Sequence, residues 1–338
     1  MWAAGAVPFV TCSVANRVAR NGIPAEVRLE DRACPLGCLG GDDPVLRSRD
    51  RITNLPGEYT IVRCRICGLM RTNPRPTADT MGFYYPDDYG PYKATQVDAP
   101  SMPSGPGRSF RAAVRRMLPQ INDRARAIPP LPPGRILEIG CASGSFLHRM
   151  AACGWHVEGI EFSSSAAANA RRLGYHVHAG AVEDVETASG PFDLVAGWMV
   201  LEHLHEPVAV LRKVRSWTKR GGRFAFSVPD CGALEFRIFG RYWYALHLPA
   251  HLYHYTPRTL KRVLCETGWR MDRILGQRNL YNLLPSIGHV LREKCIAERL
   301  ARYLETPTRL EPVLRPLSWF MGTIRQSGRI TVWATRVD

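Results

Sequence analysis

The sequence predicts an α/β protein, with a doubly wound, mostly parallel sheet of seven strands preceded by a small cysteine-bearing module. Three observations carry this. From Ile136 onward, short apolar runs alternate with amphipathic runs of ten or more residues, the pattern of parallel strands joined by crossover helices. The stretch ILEIGCASGSF (136–146) sets an apolar strand, a turn of small residues and a helix start in direct succession. Upstream, four cysteines fall into two close pairs.

Each element follows from its residues. ILEI is a strand, and SFLHRMAACG a helix stopped by Gly154. HVEGIEF is the second strand, followed by the serine-capped helix SSAAANARRLG. HVHAG and FDLVAGW are strands, and PVAVLRKVRSWTKRGG is a helix closed by two glycines. RFAFSVP is a strand, TPRTLKRVLCETGW a helix capped by Thr256, and WRMDRILG and RITVWATRV the last strands. No simple crossover helix separates those two, which permits an antiparallel edge; residues 279–327 are a helix-prone insertion before the final strand. APSMPSGPGR marks a linker over 99–110, between a module at 34–98 and a main domain at 111–338. Residues 1–33 are expected to be a loosely ordered leader.

Of the 338 residues, 45% are hydrophobic and 22% charged, which excludes a disordered chain. The net charge of +15 suits an anionic partner, although the basic residues are scattered rather than gathered in a tail. No apolar stretch approaches the ~20 residues that span a bilayer, which leaves peripheral membrane contact as the available kind. The ten cysteines form no disulfide-scaffold pattern, so a reducing, cytoplasmic compartment is expected.

Gly140 and Gly144 give the turn backbone freedom, so a ligand can approach closely. Glu161 lies about 20 residues further, at a strand's carboxyl end, where an acid accepts hydrogen bonds from ribose hydroxyls. The turn lacks the G-x-G-x-x-G spacing of dinucleotide enzymes, and Glu138 would repel a pyrophosphate. An acid there suits a cationic ligand, and adenosine with a cationic amino-acid tail is S-adenosylmethionine. ILEIGCASGSF, Glu161, FDLVAGWMVLEHLHEP and TKRGGRFAFSVPD resemble, in this order, the motifs of class I S-adenosylmethionine-dependent methyltransferases, a Rossmann-like fold. The resemblance implies that Glu138 and Gly140 line the methionine moiety, that Cys141, Ala142 and Gly144 also border the cofactor, and that Glu161 holds the ribose. It puts Glu183 or Asp184 near the adenine, and Trp198 and Met199 beside the reacting centre.

Cys34-Pro-Leu-Gly-Cys38 and Cys64-Arg-Ile-Cys67-Gly are two knuckles, 25 residues apart, able to converge on a closed four-thiolate zinc site of structural type. With the RCRICGLMRTNPRP and GFYYPDDYGPY segments, this stretch resembles the N-terminal module of sugar- and polysaccharide-pathway methyltransferases. HLPAHLYHYTPRTLKRVL resembles a segment of the same subgroup. Tyr84, Tyr85, Tyr89 and Tyr92 form either a lid over the substrate or an apolar seam between domains. Tyr84 represents the lid among the catalytic candidates. Methyl transfer needs alignment and a base: His203 is the first candidate, with His251 and His254 behind it. Arg237 and Arg241 are candidates for an anionic substrate group. The resemblance implies a small or lipid-linked, glycan-type acceptor. The competing reading, an RNA methyltransferase or nucleic-acid-binding protein using the zinc ribbon, requires a basic face with exposed aromatics, and the acids of YYPDDYG argue against it.

Overall fold

The computed structural model describes residues 22–85, 124–186, 189–306, 310 and 313–338. The linker at 99–110, Tyr89, Tyr92 and the acids of YYPDDYG lie outside the described residues.

At the N-terminal end, β1 (Leu29–Glu30) pairs with β5 (Arg75–Pro76), while β2 (Asp42–Arg49), β3 (Glu58–Cys64) and β4 (Met70–Thr72) form an antiparallel meander. Residues 22–33, expected to be part of a loose leader, are built into this module: Ile23 and Val27 are buried and β1 is paired. Their apolar side chains find a surface to cover, which a leader would not.

The main domain runs β6 (Arg135–Ile139), α1 (Ser145–Ala152), β7 (His156–Glu161), α2 (Ser164–Arg172), β8 (His176–Ala179), β9 (Phe192–Trp198), α3 (Pro207–Trp217) and β10 (Thr218–Pro229). It continues with α4 (Leu234–Phe239), β11 (Tyr253–His254), α5 (Pro257–Glu266), β12 (Trp269–Gly276), α6 (Leu283–Glu293), α7 (Glu298–Glu305), α8 (Arg315–Thr323) and β13 (Arg329–Arg336). Seven strands form one sheet in the order β12-β13-β10-β9-β6-β7-β8. The five from β10 to β8 are parallel, and β13 pairs antiparallel with both β10 and β12. The expected antiparallel edge is therefore present, and the insertion supplies α6, α7 and α8.

Parallel strands must be apolar on both faces because helices cover both. Ile136 packs with Phe146 of α1 and Met150, whereas its neighbour Leu137 points to the opposite cluster with Val195 and Phe224. The helix expected to run to the glycines at 221 and 222 stops at Trp217 instead. Thr218, β-branched and extended, already pairs with Phe192 of β9. The small module is not a separate body. β11 joins β4 to complete its four-stranded sheet, and Tyr59, Ile61 and Leu69 share one core with Leu201, Trp243 and Leu252.

Candidate active site

The carboxyl ends of β6, β7 and β9 are adjacent in the sheet, so the turn after β6, Glu161 and the loop after β9 meet at one edge. Gly140 (φ 69°) turns there beneath Val200; a Cβ on it would lie 2.7 Å from Val200 Cγ2. Ala142 (φ 48°) and Gly144 (φ 87°) are also left-handed. Most of the turn's amides are already used. Gly140 and Cys141 donate to the Ile160 carbonyl at 2.8 and 3.1 Å, and Gly144 donates to Cys141. The turn thus offers a close backbone surface rather than an anion cradle, in keeping with a cationic ligand.

Glu161 fixes this turn. It is 4% exposed, one oxygen accepts the Ala142 amide at 2.7 Å and the other accepts the Ser163 amide at 2.8 Å. Burial raises its pKa, and the amides of Ser163 and Ala142 oppose the rise. The Phe162 amide opposes it too, and the carboxylate, with about four acceptor sites, keeps capacity for a ribose hydroxyl. Glu138 is different: it is 2% exposed and its Oε2 has no partner among the described residues. Burial pushes its pKa up to about 8, against the pull of Arg126 and Arg149. A buried carboxylate oxygen without a partner is costly, and an ammonium group is the partner that would satisfy it. That orphan is the structural fit for the amino-acid tail of S-adenosylmethionine.

The other expected cofactor residues divide. The Cys141 side chain is turned into a core with Leu147, Ala167 and Val177, so only its backbone borders the turn. Trp198 packs edge-on to Phe146, ring centroids 5.2 Å apart, and its Nε1 lacks a partner among the described residues. Met199 (φ 59°) holds a left-handed bend at the edge. Glu183 accepts the His205 amide at 3.2 Å and braces the neighbouring loop, while Asp184 is exposed.

His203 stands on that loop, half-buried. Its Nδ1 lies 3.0 Å from the Ala250 carbonyl and 2.7 Å from the Tyr85 hydroxyl. A proton on Nδ1 would go to the Ala250 carbonyl and leave Nε2 with its lone pair, whereas the Tyr85 hydroxyl can donate to Nδ1 in the other tautomer. Burial and the neighbouring His247 push its pKa down to about 3, so the ring is neutral at physiological pH. Arg75 steadies the loop by donating to the His205 carbonyl at 2.9 Å.

The tyrosines need a correction. Tyr84 is 2% exposed and bonds to the Tyr59 hydroxyl and the Pro56 carbonyl, inside the N-terminal module and away from His203. Its neighbour Tyr85 spans the site edge, between Phe162 next to Glu161 and His203, at centroid separations of 6.4 and 6.0 Å. Tyr84 therefore belongs to the core of the N-terminal module rather than to a lid, and Tyr85 is the tyrosine that lies across the edge. His251 is buried against His203, centroids 4.6 Å apart, with Nδ1 bonded to the Ala245 carbonyl at 2.8 Å. His254 is removed from the site, its Nε2 meeting Thr72 Oγ1 of the small sheet. Arg237 and Arg241 are exposed, and the Arg241 carbonyl is held by Ser48. The cation the fold does bring near Glu202 is Arg329, anchored by Asn282 at 2.8 Å.

The four cysteines Cys34, Cys38, Cys64 and Cys67 converge, their sulfurs all within 4.8 Å of one another. Gly68 (φ 78°) closes the second knuckle, its amide on the Cys64 carbonyl, and the Leu69 amide points at the Cys67 sulfur. Burial raises the Cys64 thiol's pKa, yet the amides of Cys67 and Ile66 bring it down to about 7. The donor set fits a closed tetrahedral zinc centre.

A methyltransferase-domain family model matches residues 108–274. The ubiquinone biosynthesis O-methyltransferase of Aromatoleum aromaticum is 30% identical over 167 residues, 45% of this chain and 70% of that protein. The enzyme of the same name from Thiobacillus denitrificans is 28% identical over 173 residues, 47% of this chain and 73% of that protein. A solved S-adenosylmethionine-dependent methyltransferase from Archaeoglobus fulgidus covers 69% of this chain and 95% of its own, at 18% identity and TM-score 0.42. The fold is that of an S-adenosylmethionine-dependent methyltransferase. The chain belongs to the methyltransferase family that these relatives define.

Proposed function

We propose that the chain methylates an oxygen of a small-molecule acceptor beside His203, and that Cys34, Cys38, Cys64 and Cys67 hold one structural zinc. The observation that carries the first reading is the meeting of the Gly140 turn, Glu161 and His203 at the ends of three adjacent strands. S-adenosylmethionine supplies a methyl group already activated by a sulfonium. The chain has to position the cofactor and acceptor, exclude water and assist loss of the acceptor's proton. Glu138 suits the cofactor's ammonium group, Glu161 its ribose, and the 140–144 backbone its close approach. Tyr85 covers the edge, and His203 assists the proton loss.

The names of the relatives support an oxygen acceptor. The ribbon and tyrosine segment support a glycan-type, small or lipid-linked acceptor carrying negative charge, with Arg329 the nearby cation. The test is methyl incorporation from labelled cofactor into separated pools of sugar nucleotide, glycolipid, quinone-precursor phenol and RNA. Incorporation into the first two is expected. Labelling of the phenol alone would remove the glycan class, and labelling of RNA alone would overturn the small-molecule reading.

A further inference from the structure

We infer that Glu158, His176 and His178 form a binding site for a divalent first-row transition-metal ion at the β8 edge of the seven-stranded sheet, apart from the cysteine cluster and from the methyl-transfer edge. One oxygen of Glu158 and one ring nitrogen from each histidine lie within 4.8 Å of one another. Strand register brings them together. β7 and β8 run parallel, with Glu158 beside His176 and Ile160 beside His178. Side chains alternate between the faces of a strand, and Val177, between the two histidines, packs into a core with Leu147, Ala167 and Ala170. His176 and His178 therefore share the other face with Glu158. β8 is the last strand of the sheet and His176 is exposed, so an ion can enter from solvent.

The carboxylate is held as a ligand is held. Glu158 is 5% exposed, and its ion-pair partners among the described residues are the two histidines, His178 Nε2 at 3.0 Å and His176 Nδ1 at 3.8 Å. A buried carboxylate calls for a cation, and among the described residues no arginine or lysine pairs with this one. The Ser189 hydroxyl donates to one of its oxygens and the Ser189 amide to the other at 3.2 Å. Arg135 in turn donates to the Ser189 hydroxyl at 3.2 Å. Outer-shell bonds of this kind fix the direction of a ligating carboxylate.

Two imidazoles and one carboxylate suit zinc or a neighbouring first-row ion, with water in the remaining positions. The side chains draw in to metal–ligand distances of ~2.0–2.2 Å, and the ion takes the place of the proton shared between His178 Nε2 and Glu158. Once bound, it clips the edge strand β8 to β7 and, through Ser189, to the segment entering β9. Glu161 lies three residues beyond Glu158, about 10 Å along the strand, so the ion acts on the sheet and not on the cofactor or the acceptor.

The probe is Co²⁺, titrated calorimetrically into full-length protein pre-loaded with zinc at the cysteine cluster, with visible spectra recorded alongside. Wild type is compared with His176→Asn, His178→Asn and the double variant, each shown to be folded by a cooperative thermal transition. The expected result is one Co²⁺ per chain with ligand-field bands and no thiolate-to-cobalt charge transfer. Each single variant should weaken it at least about tenfold, and the double variant should lose that equivalent altogether. Saturating Co²⁺ should raise the Tm of the wild type and leave that of the double variant unchanged. Absence of a Co²⁺ equivalent in the wild type overturns the site. So does an equal affinity, or an equal rise in Tm, in the double variant, which would assign the ion to another part of the molecule. Should the double variant not fold, the two single variants decide.

Discussion

The cysteine cluster and the Glu202 cluster are both groups of buried polar side chains, yet they are assembled in different ways. Cys34/Cys38 and Cys64/Cys67 come from two tight turns, each with a backbone glycine that shapes it. Glu202 and His203 sit on one loop and meet His251 from a segment almost 50 residues later. Four thiolates suit a closed structural centre, whereas Glu202 and His203 lie on the loop that follows β9 at the edge beside Glu161. On the proposed reading the first cluster serves folding and the second borders the reacting edge, and variants in each should fail differently.

The largest effect is expected from Cys64→Ser with Cys67→Ser. Zinc should fall from one equivalent to none at the ribbon, since apparent zinc binding in such sites is worth about 10–16 kcal/mol. Acceptor turnover should collapse with it, because the small sheet pairs with β11 and carries Tyr85 to the site edge. Cofactor binding should survive. Full turnover in zinc-free protein, shown by elemental analysis beside an assay, would break the link between the two regions.

His203→Ala comes next, slowing turnover by about 10²–10⁴-fold while leaving cofactor affinity nearly intact. Full activity on the true acceptor would take His203 out of the mechanism.

A smaller effect concerns pH. Burial holds the Glu138 carboxyl at a pKa of about 8, so it is mostly protonated at neutral pH. Pairing with a cation favours the ionised form and expels that proton. Affinity for S-adenosylhomocysteine should then rise with pH up to about 8, by at most about tenfold per unit, and level off above. Calorimetry in two buffers of different ionisation heat should show net proton release near pH 7. Proton uptake would mean Glu138 does not face the ammonium group.

The smallest effect is expected for Gly140→Ala. A left-handed alanine costs about 1–2 kcal/mol, and its Cβ must also displace Val200. A fall in Tm of several degrees should accompany modestly weaker cofactor binding. An unchanged Tm would show that the turn relaxes freely.

Much of the fold was readable because its signals are local. Seven strands stood out as short apolar runs, and the turn from Gly140 to Gly144 with Glu161 beyond it follows from spacing along one strand–helix–strand unit. What spacing along the chain could not show is where neighbouring side chains point. Tyr84 and Tyr85 are adjacent, but the 3₁₀ turn ending at Tyr84 buries one and sends the next to His203. Nor could it show that Glu202 would lack partners, because that depends on how residues 245–254 fold back over the loop. Arg237 and Arg241 were closer in sequence to the histidines than Arg329, yet β13 returns Arg329 from the far end of the chain.

The most direct test of the cofactor edge is a calorimetric titration of S-adenosylhomocysteine into wild type and Glu161→Ala. The wild type should bind with micromolar affinity. The variant loses the acceptor of two ribose hydroxyls and the brace on Ala142, each charge-assisted bond being worth about 1.5–3 kcal/mol, so affinity should fall at least about tenfold. Equal affinity in the two proteins would contradict the account, reducing Glu161 to a support for the start of α2.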